Sequence, residues 1–540
     1  MIGCLIDENN AFPAFILYHT WGIIAMRIML STNRIAVFHY HLLPGGVTTV
    51  IFLSLKALIH HHPSLSEILL VTGTSENAGN IADKLRREVL ATGRDIRIGV
   101  SIVPEIGYTN PNDAESLDIK TLKERLCSDY GGYFWWIHNY HLGKNPIFTA
   151  ALIEAAEENP SQRMLFHIHD FPEDGRYHNL SFLRSFAGSN VYPVLSNVRY
   201  AVINSRDYQL LLTAGMPKEV LFFLNNPVER WDLPPGNPDK VRECLKNTFA
   251  AGFPAYNPEK PLWLYPVRTI RRKNALEAGL ICLVAETNLV LTLPGVSKQE
   301  KPYSDLVESL YIKGLLPGMW GIGRNLDEAG LDFTMLASSA DAIISSSVQE
   351  GFGYLYTDTV QWGRPLIARD LEILDGIRDI FTGHPAVFYA GLDVPLDPQD
   401  IRVVKERYAR HTAGADMDNT GAKFLEKLAK GTADFAALPV EVQVKSIERA
   451  QSLEYRTALR ELNAPLFTGI EGLSKVESTT EAGVFTPFEI EAFSRVFGTV
   501  LDSYHLTQRK ASGSGSIQEA LVDLFTSSNV RHLLYEYQGM

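Results

Sequence analysis

From Arg34 onward, short apolar runs alternate with stretches of helical periodicity. Ile35-Ala36-Val37-Phe38 reads as a strand. Gly45-Gly46 then opens a helix whose apolar positions are Val47, Val50, Ile51, Leu55, Leu58 and Ile59. Further strands are expected at Ile68–Thr72, Ile96–Val103, Tyr133–Ile137, Met164–His167, Tyr200–Ile203 and Leu221–Leu224, with helices between most of them. Nearly continuous apolar strands separated by helices imply a parallel sheet covered on both faces, a doubly wound α/β domain.

The pattern breaks between Asp232 and Pro261, where Pro234-Pro235-Gly236-Asn237-Pro238 and Gly252-Phe253-Pro254 frame room for one short helix. This stretch reads as an interdomain connection. The alternation restarts with strands at Leu262–Pro266, Leu289–Leu293, Ala342–Ser345 and Pro365–Ala368. From Asp397 the chain reads as helical and more charged, without clear strands, and Ala511–Ser516 as a flexible spacer. The expected organisation is a tail (1–28), a first Rossmann-like domain (29–231), a linker (232–260), a second Rossmann-like domain (261–396) and a helical C-terminal extension (397–540). Two such domains facing across a cleft bind ligands at the carboxyl ends of their strands.

Composition narrows this picture. With 540 residues, 46% of them hydrophobic, the chain can bury more than one core. A net charge of -12 argues against a general nucleic-acid surface. Cys4, Cys127, Cys244 and Cys282 show no paired spacing, which suggests neither a disulfide frame nor a zinc site and fits a cytoplasmic protein. Phe12–Met26 is mostly apolar but too short to span a bilayer, and Asp7 and Glu8 precede it where a signal peptide carries basic residues. It reads as an extra tail, or as a start placed upstream of Met26 or Met29.

Candidate chemistry follows the strands. After Ala342–Ser345 come Glu350, Gly351, Phe352 and Gly353, with Asp358 further along the next helix. The glycines permit close backbone approach, and the amides at the start of a helix favour an anion. Two acids in the same place suit sugar hydroxyls, so a ligand carrying both phosphate and hydroxyls reconciles them. Positive charge comes from the loop after Leu262–Pro266, where Arg268 and Lys273 could both reach a diphosphate. In the first domain, Gly45 and Gly46 again join a strand to a helix. The bland alternatives are an acid at a helix N-terminus for Glu350, a solvated helix face for Asp358, surface charge for Arg271 and Arg272, and core packing for Trp135 and Trp136.

Taken in order, these motifs resemble the retaining glycosyltransferases of GT-B fold, most closely the family 4-like group (glycosyl transferases group 1). Val202-Ile203-Asn204-Ser205, Ala214-Gly215-Met216-Pro217, Asn225-Asn226-Pro227-Val228 and Gly363-Arg364-Pro365 extend the resemblance over roughly Arg34 to Ile380. One departure is Asp358, where the family carries Glu. The resemblance implies transfer of a hexosyl group from a nucleotide diphosphate-sugar to an acceptor hydroxyl, without metal or cofactor. It implies donor binding by Gly45, Gly46, Arg268, Lys273, Glu350, Gly351, Phe352, Gly353 and Asp358, with Asp358 on the ribose. Arg268, Lys273, Glu350 and His169 are the implied catalytic residues, and the first domain is the acceptor side.

His39 and His41, His138 and His141, and His167 and His169 form pairs at strand ends. His-x-His spacing can hold a metal, but no acidic or Cys ligand set accompanies these. His169 matches a family His facing the donor sugar; alternatively it bonds nearby backbone. His138, His141, Lys144 and Asp170 are candidates for a small soluble acceptor, and the His138–Asn145 loop reads equally as a helix-opening turn. Two other functions stay open: a cofactor-free GT-B phosphorylase, and a non-catalytic nucleotide-sugar sensor. A Rossmann dehydrogenase is disfavoured because no Gly-x-Gly-x-x-Gly follows the first strand.

Overall fold

The structure, a computed structural model, describes residues 33–110, 118–174, 176–188, 190–412, 422–473, 486–504 and 516–528. The expected N-terminal tail and most of the Ala511–Ser516 spacer lie outside them. Every strand read from the sequence forms, most of them as apolar runs buried within the two sheets and β3 as a partly exposed edge strand.

The first domain carries β1 (Arg34–His39), β2 (Glu67–Thr72), β3 (Arg97–Ile102), β4 (Phe134–His138), β5 (Met164–Ile168), β6 (Val198–Val202) and β7 (Leu221–Phe223). They form a parallel sheet in the order β3-β2-β1-β4-β5-β6-β7. Val37 sits opposite Leu70 on one side and Trp136 on the other. Helices cover both faces, so Trp135 and Trp136, which point to opposite faces, are both fully buried.

The second domain repeats the plan with β8 (Leu262–Arg268), β9 (Asn288–Leu293), β10 (Gly318–Trp320), β11 (Ala342–Ser345), β12 (Leu366–Arg369) and β13 (Ala386–Tyr389), ordered β10-β9-β8-β11-β12-β13. The connection between the sheets contains the helix Pro238–Phe249, capped by the Asn237 side chain. Together these are the two facing Rossmann-like domains of a GT-B fold.

The stretch after Asp397 differs from its reading in one respect. Thr432–Asp434 is a strand, β15, paired antiparallel with β14 (Asp393–Pro395). Three residues are too few to show a period of two. Buried charge anchors this corner: Arg369 donates to Glu277 and to Asp434, each at 2.6 Å, and Tyr389 donates to Glu277. Helices Val440–Arg449 and Leu453–Leu462 add Ile447 and Leu459 to the second domain's core.

The chain then returns to the first domain. Helix Ile490–Ser503 lays Phe493, Phe497, Val500 and Leu501 into the core beneath β1 and β4. The Phe497 ring lies 4.7 Å from Trp136. Helix Ile517–Ser528 adds Leu521 and Phe525 to the opposite face. Cys127, Cys244 and Cys282 are free, and no described helix is long and apolar enough to cross a membrane.

Phe497→Ala should therefore cost the first domain about 3–5 kcal/mol by opening a cavity against Trp136. Denaturant unfolding followed by tryptophan fluorescence measures it; an unchanged midpoint would mean that the helix is not part of this core.

Candidate active site

In a doubly wound sheet the crevice opens where strand order reverses. Those points lie between β1 and β4 in the first domain and between β8 and β11 in the second. The loops leaving these strands carry the candidate residues. They line a cavity of about 600 Å³ that receives Gly46, His169 and Asp170 from the first domain and Arg268, Lys273, Glu350–Gly353 and Asp358 from the second. Gly45, His138, His141 and Lys144 do not line it.

The domains meet at the glycine turn. Asn204 donates to the Gly351 carbonyl at 2.7 Å, and Gln349 donates to Asp174 at 2.8 Å. A Cβ on Gly351 would lie 3.0 Å from the His169 carbonyl oxygen. Gly353 has φ 81°, in the left-handed region, and a Cβ there would collide with the Tyr356 ring. This glycine lets the chain turn into helix Tyr354–Gln361, whose first residues line the cavity.

Glu350 is half-buried and bonded to Lys273, and Arg272 lies 3.4 Å from its other oxygen. Burial works to raise the Glu350 carboxyl, but Lys273 and Arg272 outweigh it and hold it below the ordinary range. Burial lowers Lys273 despite Glu350. Arg272 and Arg271, read as surface charge, are both engaged. Arg272 donates to the Gln349 carbonyl at 2.9 Å, and Arg271 is buried and donates to the Leu438 carbonyl at 3.0 Å. The cause is the tight turn Arg271–Lys273, which aims consecutive basic side chains in different directions. Arg268 is more open and lies 3.3 Å from Glu300.

Asp358 has a different setting. Burial pushes its carboxyl up to about 7, with only the Trp231 indole, donating at 2.9 Å, to oppose that. Trp231 packs edge-on against Trp362, near Phe333. Across the cavity, helix Gly46–His61 directs its N-terminus at the same space. Asp170 is paired with Arg176, which also lines the cavity.

Behind His169 lie buried rings. His138 Nδ1 and His169 Nε2 are 2.8 Å apart, and the Trp136 indole donates to His167 Nδ1 at 3.3 Å. Burial holds His138 and His169 well below the ordinary histidine range, and pushes His39, His141 and His167 down to about 3. One nitrogen each of His138, His167 and His169 lies within 4.8 Å of the others, close enough to suggest a metal. The hydrogen bonding argues otherwise. A metal-bound imidazole donates its second N–H, whereas His167 Nδ1 faces a donor. The Lys144 Nζ stands 5.6 Å from the centre of the Tyr108 ring.

The sequence reading did not single out Trp231, Arg176, Asn139 or Gln349, all of which line the cavity. The one available signal was a Trp in a Pro/Gly-rich connection. The others are ordinary polar residues placed by partners elsewhere in the chain: Asn139 and Arg176 within the first domain, Gln349 across the domains at Asp174.

No protein-family model matches the chain. It is 31% identical over 533 residues to the mannosylglucosyl-3-phosphoglycerate synthase of Petrotoga mobilis, covering 94% of this chain and 100% of that one. Similar solved structures include HepE of Anabaena in complex with UDP and glucose, at 12% identity and TM-score 0.48, covering 87% of this chain and 100% of that one. A sucrose-phosphate synthase of Thermosynechococcus elongatus matches at 13% identity and TM-score 0.44, covering 88% and 99%.

Lys273→Ala should cost about 1–3 kcal/mol, because it leaves the half-buried Glu350 charge with Arg272 as its basic partner. Adding Glu350→Gln should recover part of the loss, and a urea double-mutant cycle measures this. Strictly additive effects would show that the two groups are not coupled.

Asp358 is raised from 3.8 to about 7. Its contribution to stability is whole below pH 3.8 and is lost as the pH rises through 7. Asp358→Asn escapes that loss, so the variant should gain in Tm over the parent at pH 8 relative to pH 4. The same difference at both pH values would rule out a raised Asp358.

Proposed function

The chain belongs to the family of the Petrotoga mobilis mannosylglucosyl-3-phosphoglycerate synthase, enzymes of GT-B fold that transfer a sugar from a nucleotide diphosphate-sugar, and on that premise we propose that it is a retaining hexosyltransferase whose acceptor is a hydroxyl of glucosyl-3-phosphoglycerate. The observation that carries this reading is the meeting, in one cavity, of the Lys273–Glu350–Arg272 cluster with His169 and the N-terminus of the Gly46–His61 helix.

The roles follow from charge and position. Arg268, Lys273 and the amides after Gly353 stabilise the negative charge that grows on the leaving diphosphate. Glu350, held ionised by its basic neighbours, accepts hydrogen bonds from donor hexose hydroxyls. Asp358 accepts them from the ribose, which displaces or shares the Trp231 indole. His169 contacts the donor sugar from the first domain. The bond from the anomeric carbon to phosphate breaks as the bond to the acceptor oxygen forms on the same face, and the leaving phosphate oxygen takes the acceptor proton. On the acceptor side Arg176, paired with Asp170, supplies a cation for an anionic substrate.

The test is incubation with glucosyl-3-phosphoglycerate and a panel of nucleoside diphosphate-hexoses. One donor should release nucleoside diphosphate and give a product with the anomeric configuration of that donor. Inversion would reject the retaining mechanism, and transfer of a glycosyl group from a glycoside to added inorganic phosphate, giving a sugar phosphate and the freed hydroxyl compound without any nucleotide, would favour the phosphorylase. Glu350→Gln should weaken the intact donor by about 1–3 kcal/mol, the scale of a hydrogen bond to a charged group, and barely change the nucleoside diphosphate. Equal losses in calorimetry would remove Glu350 from the hexose.

A further inference from the structure

The His138–His169 contact has no part in the roles above. We propose that His138 is a positioning residue for His169. It donates Nδ1–H to His169 Nε2 and so holds that ring in the tautomer whose other nitrogen, Nδ1, carries a proton. His169 then meets the bound nucleotide sugar as a hydrogen-bond donor to a hydroxyl or phosphate oxygen, and not as a base. The inference rests on the reading of His169 as a donor-sugar contact.

The geometry requires one proton between the two rings. Both are buried and neutral, and their nitrogens lie 2.8 Å apart. Either ring could supply the proton, but the two arrangements leave His138 Nε2 in different states. That atom is buried and has no hydrogen-bond partner among the described residues. If His138 donates through Nδ1, its Nε2 is a bare acceptor. If His169 donates instead, neutral His138 must carry its proton on Nε2, which becomes a buried donor with no acceptor. Orphaned donors are rarer than under-used acceptors in buried backbone, and the same preference favours the first arrangement.

Neighbouring groups do not relieve the second arrangement. Trp136 donates to His167 Nδ1, so neutral His167 carries its own proton on Nε2; that N–H is already one buried donor without a partner among the described residues, it cannot accept from His138 Nε2, and the second arrangement would add another beside it. His39 Nδ1 faces the His138 carbonyl at 3.3 Å and must donate to it. The backbone supports the same clamp. Asn139 has φ 54°, a left-handed conformation uncommon outside glycine. Its side-chain oxygen accepts from the His169 amide at 2.8 Å, while its own amide donates to the His167 carbonyl at 2.9 Å. The end of β4 therefore grips the end of β5 by both backbone and ring.

The test uses the full-length protein with ¹⁵N-labelled histidine and no ligand. The His169 resonances are assigned by their loss in His169→Gln. In the parent, His169 should be the Nδ1–H tautomer. His138→Phe removes the donor; it should shift the ring toward the other tautomer and lower kcat roughly tenfold, the scale of one lost hydrogen bond. KM for the donor should change much less. His138→Gln offers an N–H in the same place and should restore both the tautomer and most of the turnover. A parent His169 protonated on Nε2 overturns the proposal, even if neither His138 variant folds. His138→Phe with unchanged tautomer and turnover overturns it as well. A shifted tautomer with unchanged turnover leaves the tautomer assignment standing and overturns the His169 contact on which its role in transfer rests.

Discussion

Two parallel sheets reverse their strand order, and the rest of this molecule is arranged around those reversals. Connections leaving neighbouring strands in opposite directions must part above the sheet edge, which leaves an unfilled crevice there. In the first sheet the gap falls between β1 and β4, and in the second between β8 and β11. Facing the two gaps across one interface turns them into a single cavity. Gly46 and His169 on one wall and Lys273, Glu350 and Asp358 on the other are near in space although far apart in sequence.

Within that cavity the two acids of one motif are placed in opposite electrostatic settings. Glu350 precedes the helix, where Lys273 and Arg272 compensate its burial and keep it charged. Asp358 lies on the helix, where a single indole hydrogen bond leaves burial dominant. The charge of Glu350 is balanced by its basic neighbours within the protein itself, which is the setting the proposed contact with donor hydroxyls requires. An acid near neutrality can adjust its protonation to the ligand it meets.

The segment after Asp397 is a brace shared by the two domains. Its first helices complete the second domain around the buried Arg369–Glu277–Asp434 network, and its last ones cover both faces of the first domain. The Phe493 and Phe497 rings pack against Trp136, two residues from His138, so the last helices support the strand that carries the histidine clamp.

The sequence by itself determined the two α/β halves, the connection between them and the loops that bear Arg268, Lys273, Glu350 and Asp358. Those features are local: apolar runs of strand length, helical periods, and glycines at turns. It did not show β10, β13 or the β14–β15 pair, short strands at the sheet edges or outside the two large sheets. Only tertiary structure decided that Arg272 belongs to the Glu350 cluster and that Trp231 covers Asp358. It likewise decided that His138 and His141 lie behind the cavity wall. Each of these depends on a partner brought close by strand order or domain closure. A side chain's charge state and hydrogen bonds are set by what surrounds it in space, and no periodicity along the chain encodes that.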